Sequence, residues 1–147
     1  MYKKILIPTD GSEPSQKAED HGLHLAQKMG ADVTALHVTE IIFAPSPIPG
    51  PPPVLPEEQT RLLREAGEKM VKHVQEKGEK MGVQVTPLVV TGHPADQIIT
   101  HAQDFDLIVM GTLGKSGLAH LLLGSTTEKV TRHAPCPVLI VRVKKHS

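Results

Sequence analysis

The chain has almost no aromatic side chains: two Phe, one Tyr and no Trp in 147 residues. Its core must therefore be aliphatic, and it offers no stacking platform for single-stranded nucleic acid. It has one cysteine, Cys136, which excludes an internal disulfide framework and a multi-cysteine metal site. It has no excess of either charge, with sixteen basic residues against sixteen acidic. The basic patch that a phosphate backbone requires is thus missing, and the tail Arg142, Lys144 and Lys145 is taken as a solvated end. No run of eighteen apolar residues occurs, and the apolar stretch between Met1 and Pro8 is too short for a secretory signal. These absences predict a soluble, cytoplasmic protein with neither nucleic acid nor membrane as a partner.

What is present is an alternation of apolar runs and helical patterns. The length suits one domain spanning 1–147, a chain able to hide about 70% of its unfolded surface. Lys3 to Pro8 is a short, nearly continuous apolar run, as expected of a strand covered on both faces. Thr9, Asp10 and Gly11 break it, Ser12 stands as an N-cap, and Pro14 fits a first helical turn. Ala18, Gly22, Leu25, Ala26 and Met29 recur at helical spacing, and Gly30 ends that helix. Val33 to Val38 is the second strand.

From Glu40 to Pro56 proline dominates, and each proline removes a backbone donor. The segment is a connecting loop within the domain, richest in proline over residues 44–56. Glu57 to Met81 is the longest helical pattern, with Leu62, Leu63, Ala66, Met70, Val74 and Met81 assigned to one stripe. Gly67 and Gly78 weaken it. Val83 to Val90 is a third strand, Gly92 and Pro94 open a short helix, and Asp106 to Met110 is a fourth, wholly buried strand. A helix from Ser125 to His133 and a strand from Val138 to Val143 complete the chain. Strands separated by helices imply parallel pairing in an open, doubly wound α/β sheet. In such sheets ligands sit outside the carboxyl ends of strands, where strand order reverses. The two candidate ends are Pro8–Thr9–Asp10 and Met110–Gly111.

The stretch between Gly111 and Thr127 carries the chemistry. A phosphate needs backbone N–H groups within hydrogen-bonding distance, and glycine removes the side chain that obstructs such an approach. Gly111 follows a buried strand and Gly124 precedes a helix, where Ser125, Thr126 and Thr127 offer hydroxyls and amides at its N-terminus. Lys115 adds a positive charge. Gly114–Lys115–Ser116 is not the end of a Walker A motif, because position 109 is Val where that motif needs glycine. The nine histidines lack carboxylate or cysteine partners at ligand spacing, so no direct metal site is expected. Cys136 lies between two prolines with no neighbouring base, and a structural thiol is expected there.

Gly111, two residues, Gly114, nine residues, then Gly124–Ser125 resembles the nucleotide-binding signature of the ATP-binding branch of the universal stress proteins. The opening YKKILIPTDGS, the strand end DLIVMGT and the closing APCPVLIV are similar to that family as well. The resemblance implies a five-stranded parallel sheet in the order 3-2-1-4-5, in a three-layer sandwich like that of the adenine nucleotide alpha hydrolases. It implies ATP, ADP or AMP across the carboxyl ends of strands one and four. Pro8, Thr9 and Asp10 would lie beside the adenosine, and Asp10 would reach ribose or, through water, a metal ion. Val38 would bond adenine through its backbone. Met110, Gly111, Thr112, Leu113, Gly114, Lys115, Ser116 and Gly117, with Gly124, Ser125, Thr126 and Thr127, would wrap the phosphates. Mg²⁺ or Mn²⁺ would bridge phosphate oxygens. Leu113 departs from the pattern, at a place where relatives can carry a polar residue. The family also implies a homodimer through the last strand, residues 138–143.

No water-activating base or arginine finger is evident, and phosphoryl transfer needs both. The expected function is a nucleotide-dependent regulator or sensor of the stress response, with no catalytic residues and at most weak ATPase activity. The alternatives are a genuine ATPase and a nucleotide-free dimeric interaction module.

Overall fold

A computed structural model describes residues 1–40, 47–51, 55–112 and 123–143. Within them five strands form one sheet: β1 (Lys4–Pro8), β2 (Asp32–Thr39), β3 (Val85–Thr91), β4 (Leu107–Gly111) and β5 (Val138–Val141). All pairings are parallel and the order is β3-β2-β1-β4-β5. The expected architecture is the observed one. Four helices connect the strands: α1 (Glu13–Met29), α2 (Glu57–Lys80), α3 (Pro94–His101) and α4 (Ser125–His133). A single 3-10 turn, Ala102–Asp104, extends α3.

The two faces of the sheet are covered by different helices. Ile5, Ile7, Val33, Ala35, Leu107 and Val109 pack against α1 and α2, where Ala18, Leu23, Ala26, Val71 and Val74 meet them. Leu6, Leu36, Ile108 and Met110 point the other way, against Ala95 and Ile98 of α3 and Val130 of α4. Alternation of this kind along buried parallel strands follows from their two-residue side-chain period. β1 and β4 accordingly show almost no polar residue in their central positions.

Helix ends follow local chemistry. Ser12 caps α1 by accepting the Ser15 N–H, Pro14 occupies the first turn, and Gly30 closes it in the left-handed conformation (φ 66°).

Three details depart from the sequence expectations. α2 docks through Gly67, Val71, Val74 and Gly78, whereas Leu62 and Leu63 are 54% and 40% exposed. A Cβ on Gly67 would come within 2.6 Å of His37 Cδ2, and one on Gly78 would overlap the Val85 side chain. These glycines therefore let α2 lie close on β2 and β3, a benefit that outweighs their low helix propensity. β3 starts at Val85 and contains Pro87, which is tolerated because β3 is an edge strand. β5 ends at Val141, two residues short of the expected limit.

Candidate functional site

Between β1 and β4 the strand order reverses, and an open cleft lies at the carboxyl edge there. The ends of β1, β2 and β4 form its floor with Pro8, Thr9, Leu36, Val38, Met110 and Gly111. Asp10 and Ser15 form one wall, Pro94 and Ile98 of α3 another, and Thr126 and Thr127 of α4 a third.

Each wall has a distinct polarity. Around α1 the amides are already engaged: Asp10 N–H donates to Ser15 Oγ (3.1 Å), and Gly11 N–H to Thr9 Oγ1 (3.3 Å). Ser12 N–H donates to Asp10 Oδ1 (3.0 Å), and Ser15 N–H to Ser12 Oγ (3.3 Å). Beneath them His37 Nδ1 lies 2.8 Å from the Thr9 carbonyl.

The start of α4 is different. Its cap is Gly124, which has no side chain to offer, and no side chain among the described residues caps the helix. Glu128 N–H is the first to find an intrahelical acceptor, the Gly124 carbonyl at 2.9 Å. The amides of Ser125, Thr126 and Thr127 precede it, at the positive end of the helix dipole. Thr126 and Thr127 line the cleft. No lysine or arginine lines the cleft among the described residues, so the α4 terminus is its electropositive feature.

Two glycines serve the architecture. Gly111 ends β4 paired with Val141, and a Cβ there would lie 2.7 Å from the Pro14 carbonyl oxygen. Gly124 has ordinary extended angles (φ −72°, ψ 163°), and its N–H is spent on the Thr112 carbonyl at 2.6 Å. The Thr127 hydroxyl is likewise spent on the Gly111 carbonyl, at 2.9 Å. These bonds clamp α4 onto the end of β4, aiming its first turn at the cleft.

Val38 offers a further polar pair. Leu36 gives its carbonyl to the Thr9 N–H at 2.8 Å, so its hydrogen-bonding groups face β1. Val38, two residues on, turns its N–H and C=O to the same side. The last β1 pairing is Pro8 with Leu36, so Val38 lies beyond the end of that strand.

Of the residues expected from sequence, Pro8, Thr9, Asp10, Val38, Met110, Gly111, Thr126 and Thr127 line the cleft. Thr112 and Ser125 adjoin it in sequence. Leu113, Gly114, Lys115, Ser116 and Gly117 lie outside the described residues. Sequence reasoning missed Ser15, Leu36, Pro94 and Ile98. Pro94 and Ile98 stand four apart on α3 and so share one of its faces, but nothing local said what that face meets.

The comparisons with known proteins now have a geometry to explain. The sequence matches the Universal stress protein family over residues 1–142. A universal stress protein of Methanocaldococcus jannaschii, MJ0531, is 41% identical over 99% of this chain and 85% of its own length. The chain belongs to the universal stress protein family. Among solved structures, MJ0577 of the same organism superimposes with a TM-score of 0.82 at 31% identity, over 99% of both chains. A family protein from Arabidopsis thaliana, solved with AMP bound, shares the fold at a TM-score of 0.64 and 20% identity, over 97% of this chain and 92% of that one.

A divalent ion needs donors, and the cleft lining contains one carboxylate, Asp10. No three His, Cys, Asp or Glu side chains converge elsewhere among the described residues.

Cys136 is partly buried, and burial, followed by the nearby Asp106 charge, raises its thiol above the usual range. It stays protonated and is a poor nucleophile.

Proposed function

We propose that the cleft binds an adenine nucleotide and that the protein is a nucleotide-dependent regulator rather than an efficient hydrolase. The observation that carries this is the start of α4, three successive amides at a helix N-terminus beside a cleft, with a glycine cap and no capping side chain among the described residues. The phosphates belong there. The base belongs against Leu36, Val38, Pro94 and Ile98, where the Val38 N–H and C=O offer the donor and acceptor that the edge of adenine complements. Asp10 and Ser15 flank the sugar between them. That a family protein was solved with AMP bound supports the choice of an adenine nucleotide as ligand.

The same lining supports the regulatory half. Asp10 is its single titratable side chain among the described residues. A lone carboxylate with no cation or second base is a poor device for activating water and stabilising a leaving phosphate. ATP, ADP and AMP all fit the reading, with Mg²⁺ or Mn²⁺ entering on the phosphates. Occupancy would be passed on through a homodimer joined along β5, an edge strand whose residues are all half-buried.

Calorimetry with AMP and with Mg-ATP tests the binding, and mass spectrometry of the purified protein tests for a nucleotide carried through purification. Absence of binding at millimolar Mg-ATP would leave a bare interaction module. Release of several phosphates per second would make the protein an enzyme.

A further inference from the structure

Beneath the α1 wall runs a chain of hydrogen bonds that nucleotide binding as described leaves unused. Glu19 is 2% exposed. Its Oε2 accepts the Thr9 hydroxyl proton at 2.5 Å, and its Oε1 lies 2.9 Å from Nζ of Lys77 on α2. Lys77 also reaches Asp20 Oδ1 at 2.8 Å. A carboxylate held against an ammonium accepts and does not donate, and this fixes the direction of every bond that follows. Thr9 has one hydroxyl proton and gives it to Glu19. It must then accept, from the Ser15 hydroxyl at 2.8 Å and from the Gly11 N–H. Ser15 has therefore spent its own proton on Thr9, while its oxygen takes the Asp10 N–H. Towards the cleft, which it lines, Ser15 has a lone pair and no proton to offer.

We infer that Glu19, counter-charged by Lys77, is a positioning residue that makes the α1 wall acceptor-only and so selects a ligand bearing hydroxyl donors there, the ribose of a ribonucleotide. The inference rests on the nucleotide reading of the same cleft and adds to it a basis for choosing the sugar. Ser15 Oγ and the Asp10 carboxylate present acceptors at one side, and the α4 amides present donors at another. A nucleotide can satisfy both walls in one orientation only, hydroxyls towards α1 and phosphates towards α4.

Glu19→Gln tests the polarity with little change of shape. The Lys77 ammonium would hold the amide oxygen, leaving the amide NH₂ to face Thr9. Thr9 would then donate to Ser15, and Ser15 would turn its proton into the cleft. AMP and 2′,3′-dideoxy-AMP are titrated calorimetrically into the wild type, Glu19→Gln and Ser15→Ala. The wild type should prefer AMP by about tenfold, and both variants should narrow that preference at least about threefold. Lys77→Arg should keep the preference and Lys77→Met should lose it, a rescue that a purely structural role for the pair does not require.

Equal affinity of the wild type for the two ligands overturns the inference and leaves nucleotide binding standing. No affinity for AMP overturns nucleotide binding itself. The proton chain is then read in the ligand-free protein, where the Ser15 hydroxyl proton should exchange slowly with water in NMR spectra and quickly in Glu19→Gln. The same exchange rate in both proteins refutes the chain.

Discussion

Helices α1 and α4 both begin at the carboxyl edge of the sheet, one after β1 and the other after β4, yet their first turns are built in opposite ways. α1 is self-sufficient: Ser12 caps it, Pro14 removes one donor, Glu13 supplies a negative charge, and the amides of Asp10, Gly11 and Ser12 all have acceptors. α4 has Gly124 as its cap, and no side chain among the described residues accepts from the amides of its first turn. A glycine cap is only a few tenths of a kcal/mol worse than a serine one, so α4 forgoes roughly that much local stability. The difference is what the proposed placement of an anion rests on. On the proposed reading, the terminus that satisfies itself is a wall of the cleft and the one that does not receives the phosphates.

Making α4 resemble α1 should have the largest effect. Thr126→Asp supplies an internal anion to the open amides and repels a phosphate. AMP affinity should fall about a hundredfold, near 2.7 kcal/mol, while the helix gains about 0.3–1 kcal/mol. Calorimetry and thermal melting measure the two changes, and unaltered affinity would remove α4 as the anion site.

The two glycines that bracket the site should separate next. Gly111→Ala forces a Cβ against the Pro14 carbonyl and should cost about 2 kcal/mol in urea denaturation, as overpacking does. Gly124→Val meets an extended backbone open to any residue, so stability should change by less than about 0.5 kcal/mol while nucleotide affinity is lost. If the valine variant binds normally, the entrance to α4 is not where phosphates pass.

Removing the cap from α1 gives a smaller effect. Ser12→Ala should destabilise the protein by about 1 kcal/mol and leave AMP affinity within about twofold, since the proposed anion site is the other terminus.

The smallest effect lies at the far edge of the sheet. There Asp106 Oδ2 accepts the amides of Lys3 (2.9 Å) and Lys4 (3.0 Å), closing the entry to β1 much as Ser12 closes α1. Those two bonds, the Lys3 one first, hold the Asp106 carboxyl below the ordinary value near 3.8. A carboxyl depressed in the folded state stabilises the fold above that ordinary value, and the contribution fades as pH falls through the depressed one. Acid titration of stability below about pH 4 should therefore be shallower in Asp106→Asn than in the wild type.

Much of the fold was legible because it rests on local rules. Ser12, Pro14 and Gly30 bounded α1 to the residue, and the apolar run before Gly111 announced a strand buried on both faces. The end of the sheet that carries the cleft was legible too, since Asp10 and Gly111 each follow such a run. The docking face of α2 was not. Periodicity favours large apolar residues, so Leu62 and Leu63 outweighed Gly67 and Gly78, whose value lies in how near β2 and β3 approach. Glu19 was overlooked for a similar reason. A glutamate at a core position of a helix becomes intelligible only when Lys77, 58 residues later, meets it.

The sequence by itself determined the order of strands and helices, the aliphatic core and the family, because these depend on patterns within a few residues of one another. Tertiary structure decided which glycines serve packing, which hydroxyls are spent and which amides stay open. Those outcomes depend on whether a partner arrives from elsewhere in the chain, and a hydrogen-bonding group has no direction until that partner is in place.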